Sequence, residues 1–348
     1  MQYLIVNVED IRNRLANIFT RIGVVSEDAD LLVDTFLDAE IIGRESHGIM
    51  RVPDLYNRIL NGTINIKPNI TFSNITDCIY AVDGDNALGA VLADRTMKFC
   101  EKVAAEKGIA VAAVKNANHL GAAGYYTTEA AKNGYFTFLA CNAGPGAAPY
   151  GGMSRLLGTS PFSVSFPAGK YDNFMLDIAT SAAAYGKVAM YAKKGEKLPL
   201  GWAMDENGND TTDAQVAINA FKKGVGLLPM GAHKGMGISM IIDVLAGLLT
   251  GAKFSYEVSN SFSTSSVSGV GFFYIVLDIQ RFIPMHQFIT SIENWFDLLK
   301  ADKLRPGASG IFIPGEIENM KRRAVGKTIK VFDGTMQEIE KIEMALDK

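Results

Sequence analysis

Apolar positions along the chain set out its first elements. Ile11, Leu15, Ile18, Phe19 and Ile22 fall on one helical face, between Asn7 with Asp10 at the start and Gly23 at the end. That spacing predicts an amphipathic helix whose N-cap is Asn7. From Ser26, the positions Leu31, Leu32, Phe36, Leu37 and Ile41 predict a second helix that stops at Gly43. "VPDLYNRILNG" predicts a third, from Pro53 to Gly62. The N-terminal segment therefore reads as helical, with "ESHGIMR" as the joint between its second and third helices.

The pattern changes near residue 73. "IAVAAVKN", "YFTFLACN", "FMLDIATS" and "GFFYIVLDI" read as buried strands, while "GYYTTEAAKNG", "AAAYGKVAMYAKKG" and "ISMIIDVLAGLLTGA" read as helices. Strands alternating with helices predict an α/β architecture whose sheet is covered on both faces. After "RFIPMHQFITSIENWFDLLKAD" the chain returns to helix. The expected division is a helical lobe of residues 1–72, joined by the C-terminal segment 283–348, and an α/β domain of residues 73–282. There is no internal repeat. Ser255 to Gly269 is the one polar, Ser-rich loop.

Composition narrows the class. The 348 residues are 48% hydrophobic and 20% charged, which predicts a globular protein with a large core. A net charge of −3 gives no overall pull toward nucleic acid or an anionic membrane, so neither is an expected partner. Cys78, Cys100 and Cys141 lie far apart and fit neither a disulfide framework nor zinc spacing. The start "MQYLIVNVEDIRNRL" lacks a basic leader, and "MIIDVLAGLLTG" carries Asp243 and is too short to span a bilayer. The expectation is a cytoplasmic protein.

Familiar chemical signatures are missing. The pairs Gly144/Gly146, Gly224/Gly226, Gly235/Gly237 and Gly269/Gly271 each lack the third glycine of a dinucleotide fingerprint. "GKT" at Gly326–Thr328 lacks the upstream glycine of a phosphate loop, and no G-x-S-x-G elbow or metal-spaced histidine pair occurs. What stands out is the placing of a scarce residue. Of four histidines, His47 lies in the helix joint with Arg51 one turn later, and His119 lies in the glycine-rich loop "NANHLGAAGYY". His119 either caps that loop or exchanges a proton near neutral pH. Arg51 offers either a fork for a carboxylate or a surface ion pair. "CNAGPGAAPYGG" is a second strand-end loop, where ligands of α/β sheets gather. Lys234, in "LLPMGAHKGMGISM", is either a phosphate partner or a solvated loop residue.

Together these pieces resemble the type 2 malate/L-lactate dehydrogenase family, which includes ureidoglycolate, sulfolactate and diketogulonate oxidoreductases. The resemblance runs nearly end to end through "SHGIMRVPDLYNRI", "NHLGAAGYY", "APYGGMSRLLGTSPFSVSFP", "LDIATSAAAYGKV", "GWAMDENGNDTTD", "LLPMGAHKGMG" and "IPGEIENMKRR". It implies an α/β, non-Rossmann mixed-sheet dehydrogenase fold, with helices on both faces of the sheet and a helical lobe from the two terminal segments. It also implies a homodimer and a hydride exchanged between NAD, or NADP, and a small 2-hydroxy acid. Carried onto this chain, it makes His119 the proton donor and acceptor, with His47, Ser46 and Arg51 at the substrate end of the cleft. Asp177, Ile178, Ala179, Lys234, Gly315 and Glu316 would hold the dinucleotide. No Lys/Arg cluster can be assigned to a 2′-phosphate, which favours NAD. The chain departs from the family's pattern at Ser160, where asparagine is usual, and in "AHKGMG". Gly144 replaces the acidic contact of ureidoglycolate dehydrogenases, and residues 255–269 contain no arginine. Both changes favour simpler 2-hydroxy acids, malate first.

Overall fold

The computed structural model describes residues 2–259 and 263–348; residues 260–262 of the Ser-rich loop lie outside the described residues. It opens with a short strand, β1 (Tyr3–Asn7). Asn7 then caps α1 (Val8–Arg21), its side-chain oxygen accepting from the backbone N–H of Glu9 at 2.9 Å and of Asp10 at 3.2 Å. That satisfies two of the N–H groups a helix start leaves open. After α2 (Ser26–Ile41) comes α3 (Val52–Leu60), with Pro53 in its first turn, where no N–H is needed.

A hairpin of β2 (Thr71–Thr76) and β3 (Ile79–Asp83) leads into α4 (Gly89–Lys107), β4 (Ile109–Ala117), α5 (Ala123–Lys132) and β5 (Tyr135–Cys141). The short pair β6 (Pro145–Ala147) and β7 (Leu157–Gly158) precedes β8 (Phe162–Pro167) and β9 (Asn173–Ile178). Next come α6 (Tyr185–Lys194), a hairpin of β10 (Ala203–Met204) and β11 (Asp210–Thr211), and α7 (Ala214–Lys222). Helix α8 (His233–Ile242) runs on as a π turn over Asp243–Leu248, followed by β12 (Val270–Asp278). The chain ends with α9 (Met285–Lys300), α10 (Glu316–Ala324), β13 (Thr328–Phe332) and α11 (Asp333–Leu346).

Seven strands form one sheet in the order β2-β3-β4-β12-β5-β8-β9. Only β3 and β4 run parallel; every other neighbouring pair is antiparallel, so the sheet is mixed. The late strand β12 is inserted at the centre between β4 and β5. This explains its unbroken apolar run. Phe272, Tyr274 and Val276 are fully buried on the side of α4, while Phe273 faces Ile242 and Ala246 of α8 and its π turn. The sheet is thus covered by helices on both faces.

The main core continues from α1–α3 through α4 into the sheet. The C-terminal segment divides. Strand β13 pairs antiparallel with β1, and α11 packs on α1 and α3. Helix α9 instead packs on the outer edge of the sheet, where Phe296 meets Phe166 and Phe174. Among the described residues no helix is long and apolar enough to cross a membrane.

Candidate active site

The joint after α2 is built to present His47 and Arg51. Gly43, at φ +82°, ends the helix, and the chain folds into two 3₁₀ turns, Glu45–His47 and Ile49–Arg51. Glu40, from the last turn of α2, accepts the backbone N–H of Ile49 at 3.1 Å and pins the second turn. Gly48 is required by close approach, since a Cβ there would stand 2.3 Å from the Glu40 carboxylate. Burial pushes that carboxyl up to about 7.

Opposite lies the loop between β4 and α5. Asn118, almost fully buried, donates to the carbonyls of Asn86 at 3.0 Å and Ala87 at 2.8 Å, fixing the backbone from which His119 projects. Gly89 at the start of α4 abuts the same backbone; a Cβ there would come within 2.3 Å of the Asn118 and His119 carbonyl oxygens. Nδ1 of His119 accepts the backbone N–H of Gly121 at 3.1 Å, so the neutral ring carries its proton on Nε2.

The two imidazoles meet. Their ring centroids are 5.4 Å apart, and Nδ1 of His47 is 2.9 Å from the Ser46 hydroxyl. One small cavity is lined by His47, His119 and Arg51, together with Arg58, Asn118 and Gly121. Sequence reasoning brought His47, Arg51 and His119 to this place and missed Arg58 and Asn118. The signal was available for Arg58, which follows Arg51 by two helical turns on an amphipathic helix. Desolvation, reinforced by the nearby Arg51 charge, lowers His47 to about 4 and holds His119 well below the ordinary histidine range. Both rings are therefore neutral at physiological pH. Asp54 stands 3.3 Å from Arg51.

The residues proposed for a dinucleotide gather along β9 and its C-terminal end. Gly315 lies against the backbone of Met175, and the N–H of Met175 donates to the Pro314 carbonyl at 3.0 Å. Past Ile178 and Ala179, the Thr180 carbonyl accepts from Met230 at 2.9 Å, which brings the start of α8 and its exposed Lys234 to the same corner. Ser46 lies over Gly186 at the start of α6, where an added Cβ would come 3.1 Å from the Ser46 Cβ, so this corner adjoins the histidine cavity. Two of the candidate carboxylates are engaged. Asp177 takes Arg44 and the N–H of Gly124, at 2.9 Å, and Glu316 holds Lys300 at 2.6 Å and the N–H of Ile313 at 3.0 Å.

A nicotinamide dinucleotide fits the groups that remain. The N-terminus of α8 with Lys234 suits a phosphate, and the buried hydroxyl of Ser160, beside the Thr159–Thr180 contact, has no hydrogen-bond partner among the described residues.

A family model described as malate/L-lactate dehydrogenase matches residues 6–340. The chain belongs to the malate/L-lactate dehydrogenase family. A malate dehydrogenase of Pyrococcus horikoshii is 36% identical over 87% of this chain and 84% of its own length. A ureidoglycolate dehydrogenase (NAD(+)) of Escherichia coli is 30% identical, covering 94% of this chain and 93% of its own. The solved sulfolactate dehydrogenase of Methanocaldococcus jannaschii superposes with a TM-score of 0.92 at 30% identity, over 99% of this chain and 98% of that one. Membership of this dehydrogenase family accounts for the absence of a Rossmann glycine pattern: the mixed sheet with a central antiparallel β12 replaces the parallel sheet on which that fingerprint sits. The family's members named here are oxidoreductases acting on the CH–OH group of 2-hydroxy acids, and that class of activity is this chain's.

Proposed function

We propose that this chain is an NAD-dependent dehydrogenase of a small 2-hydroxy acid, with malate and oxaloacetate as the preferred pair. The observation that carries the reading is the single cavity in which Arg51, His47 and His119 converge. A planar guanidinium matches a planar 2-keto carboxylate and turns the adjoining carbonyl toward the imidazoles. Protonated as the substrate binds, His119 donates that proton to the substrate oxygen and returns to the neutral ring, while His47, backed by the Ser46 hydroxyl, relays the proton to it. Binding the substrate carboxylate at Arg51 offsets the positive field that depresses both rings, so substrate and proton arrive together.

A bound nicotinamide supplies or removes the hydride. Lys234, the backbone of Ile178–Ala179, and Gly315 hold the dinucleotide in this reading. The Asp177 and Glu316 carboxylates position its surroundings through Arg44, Gly124 and Lys300. Residues 1–72 with β13 and α11 form the substrate side and the sheet layer forms the cofactor side. We propose a homodimer in which a second copy covers Met240, Ile241, Val244, Leu248 and Leu249, an apolar stripe on α8 and its π turn that is 44–62% exposed. A reducing cytoplasmic setting suits the three free cysteines.

A keto-acid panel run with NADH and with NADPH tests this. Oxaloacetate with NADH is expected to turn over fastest. NADH that binds but is oxidised with no keto acid would instead indicate a metabolite-binding protein without turnover.

A further inference from the structure

The histidine cavity contains a second guanidinium that the mechanism above leaves unused. Arg58 is 2% exposed on α3. One terminal nitrogen donates to two neutral groups, Asn118 Oδ1 at 2.9 Å and Ser268 Oγ at 3.0 Å. Its Nε is buried and has no hydrogen-bond partner among the described residues. Desolvation and the like charge of Arg51 both work against its protonated form, and Asp54, shared with Arg51, opposes them in part. A buried guanidinium with an open N–H is costly unless an anion completes it. The tie to Asn118 and Ser268 occupies only part of the fork, the imidazoles are neutral, and the one carboxylate, Asp54, is shared between two guanidiniums, so the charge is compensated only in part.

We infer that Arg58 receives a second acidic group of the substrate, carried on the carbon next to the reacting centre, while Arg51 takes the carboxylate beside the carbonyl. This rests on the 2-hydroxy-acid reading and refines it. The pocket selects acids with a distal anion, whether carboxylate or sulfonate, over those ending in a methyl or an amide. Discrimination of this kind is strong because an analogue lacking the anion leaves the buried donor unmatched.

The test is kcat/KM with NADH for oxaloacetate, sulfopyruvate, pyruvate and 2-oxosuccinamate. The wild type should favour the two acids with a distal anion by at least about 100-fold. In Arg58→Gln the oxaloacetate-to-pyruvate ratio should fall at least about tenfold, with Arg58→Lys falling less, because lysine keeps the charge. Ser268→Ala, which removes one of the two bonds of the tie and leaves the guanidinium in place, should retain the wild-type ratio. If Arg58 were only a structural tie, its variants would lower both substrates alike and leave the ratio unchanged, which overturns the inference. Should the Arg58 variants fail to fold, the wild-type panel decides. Pyruvate used as well as oxaloacetate overturns this inference and leaves the 2-hydroxy-acid reading intact; no reduction of any keto acid removes that reading itself.

Discussion

At the scale of single residues, the chemistry rests on charge placed where water is scarce. Arg51 is 9% exposed and lies beside two neutral imidazoles, so its fork serves orientation as well as attraction. Lysine keeps the charge but offers a point donor. Arg51→Lys is expected to lower kcat/KM for oxaloacetate at least about tenfold, equivalent to about 1.4 kcal/mol, through misplacement of the carbonyl. NADH affinity should hold. A kcat/KM within twofold of the parent would return Arg51 to the role of a partner for Asp54. His47 and His119 were legible in sequence because histidine is scarce in this chain, and Arg51 because it follows His47 by one turn. For Arg58 the helical spacing from Arg51 was visible but its burial was not, since an arginine-bearing helix face is ordinarily solvated and only the packing of α3 against Asn118 and Ser268 buries it.

Among the elements, the joint between α2 and α3 shows how local structure stores a pH dependence. Glu40 pins Ile49 while buried enough for its carboxyl to rise to about 7 from an ordinary value of 4.5. A folded-state pKa above the unfolded one favours the fold below about pH 4.5, and that contribution is lost as pH rises through 7. Glu40→Gln keeps an oxygen for the Ile49 N–H and removes the buried charge. It is expected to stabilise the protein by about 1–2 kcal/mol at pH 8 and by little at pH 5, read from denaturant midpoints at the two pH values. Equal effects at both would show that the carboxylate is solvated. The element pattern itself was readable wherever one period dominated: α1, α2 and the strands β4, β5, β9 and β12 lie where apolar spacing put them. β1 escaped because its five residues gain meaning only by pairing with β13, some 320 residues away, and no local pattern encodes that. The antiparallel insertion of β12 between β4 and β5 is equally non-local.

For the whole molecule, function depends on bringing distant segments to one cavity. The helical joint reaches the sheet through Arg44, whose guanidinium binds the Asp177 carboxylate and, at 3.1 Å, its carbonyl. The same carboxylate takes the first turn of α5, so one buried group ties the loops bearing His47 and His119. The family resemblance implies a dinucleotide contact along Asp177–Ala179; the fold commits the Asp177 side chain to this internal tie, a pairing set by the register of β9 against α5 that no local pattern encodes. The account's central claim is that turnover takes place between the two imidazoles. The most direct measurement is kcat of His119→Ala with oxaloacetate, alongside an NADH titration of the same variant. A fall of about 10²–10⁴ in kcat, with NADH affinity little changed, is the predicted result. Near-normal turnover in that variant would contradict the claim.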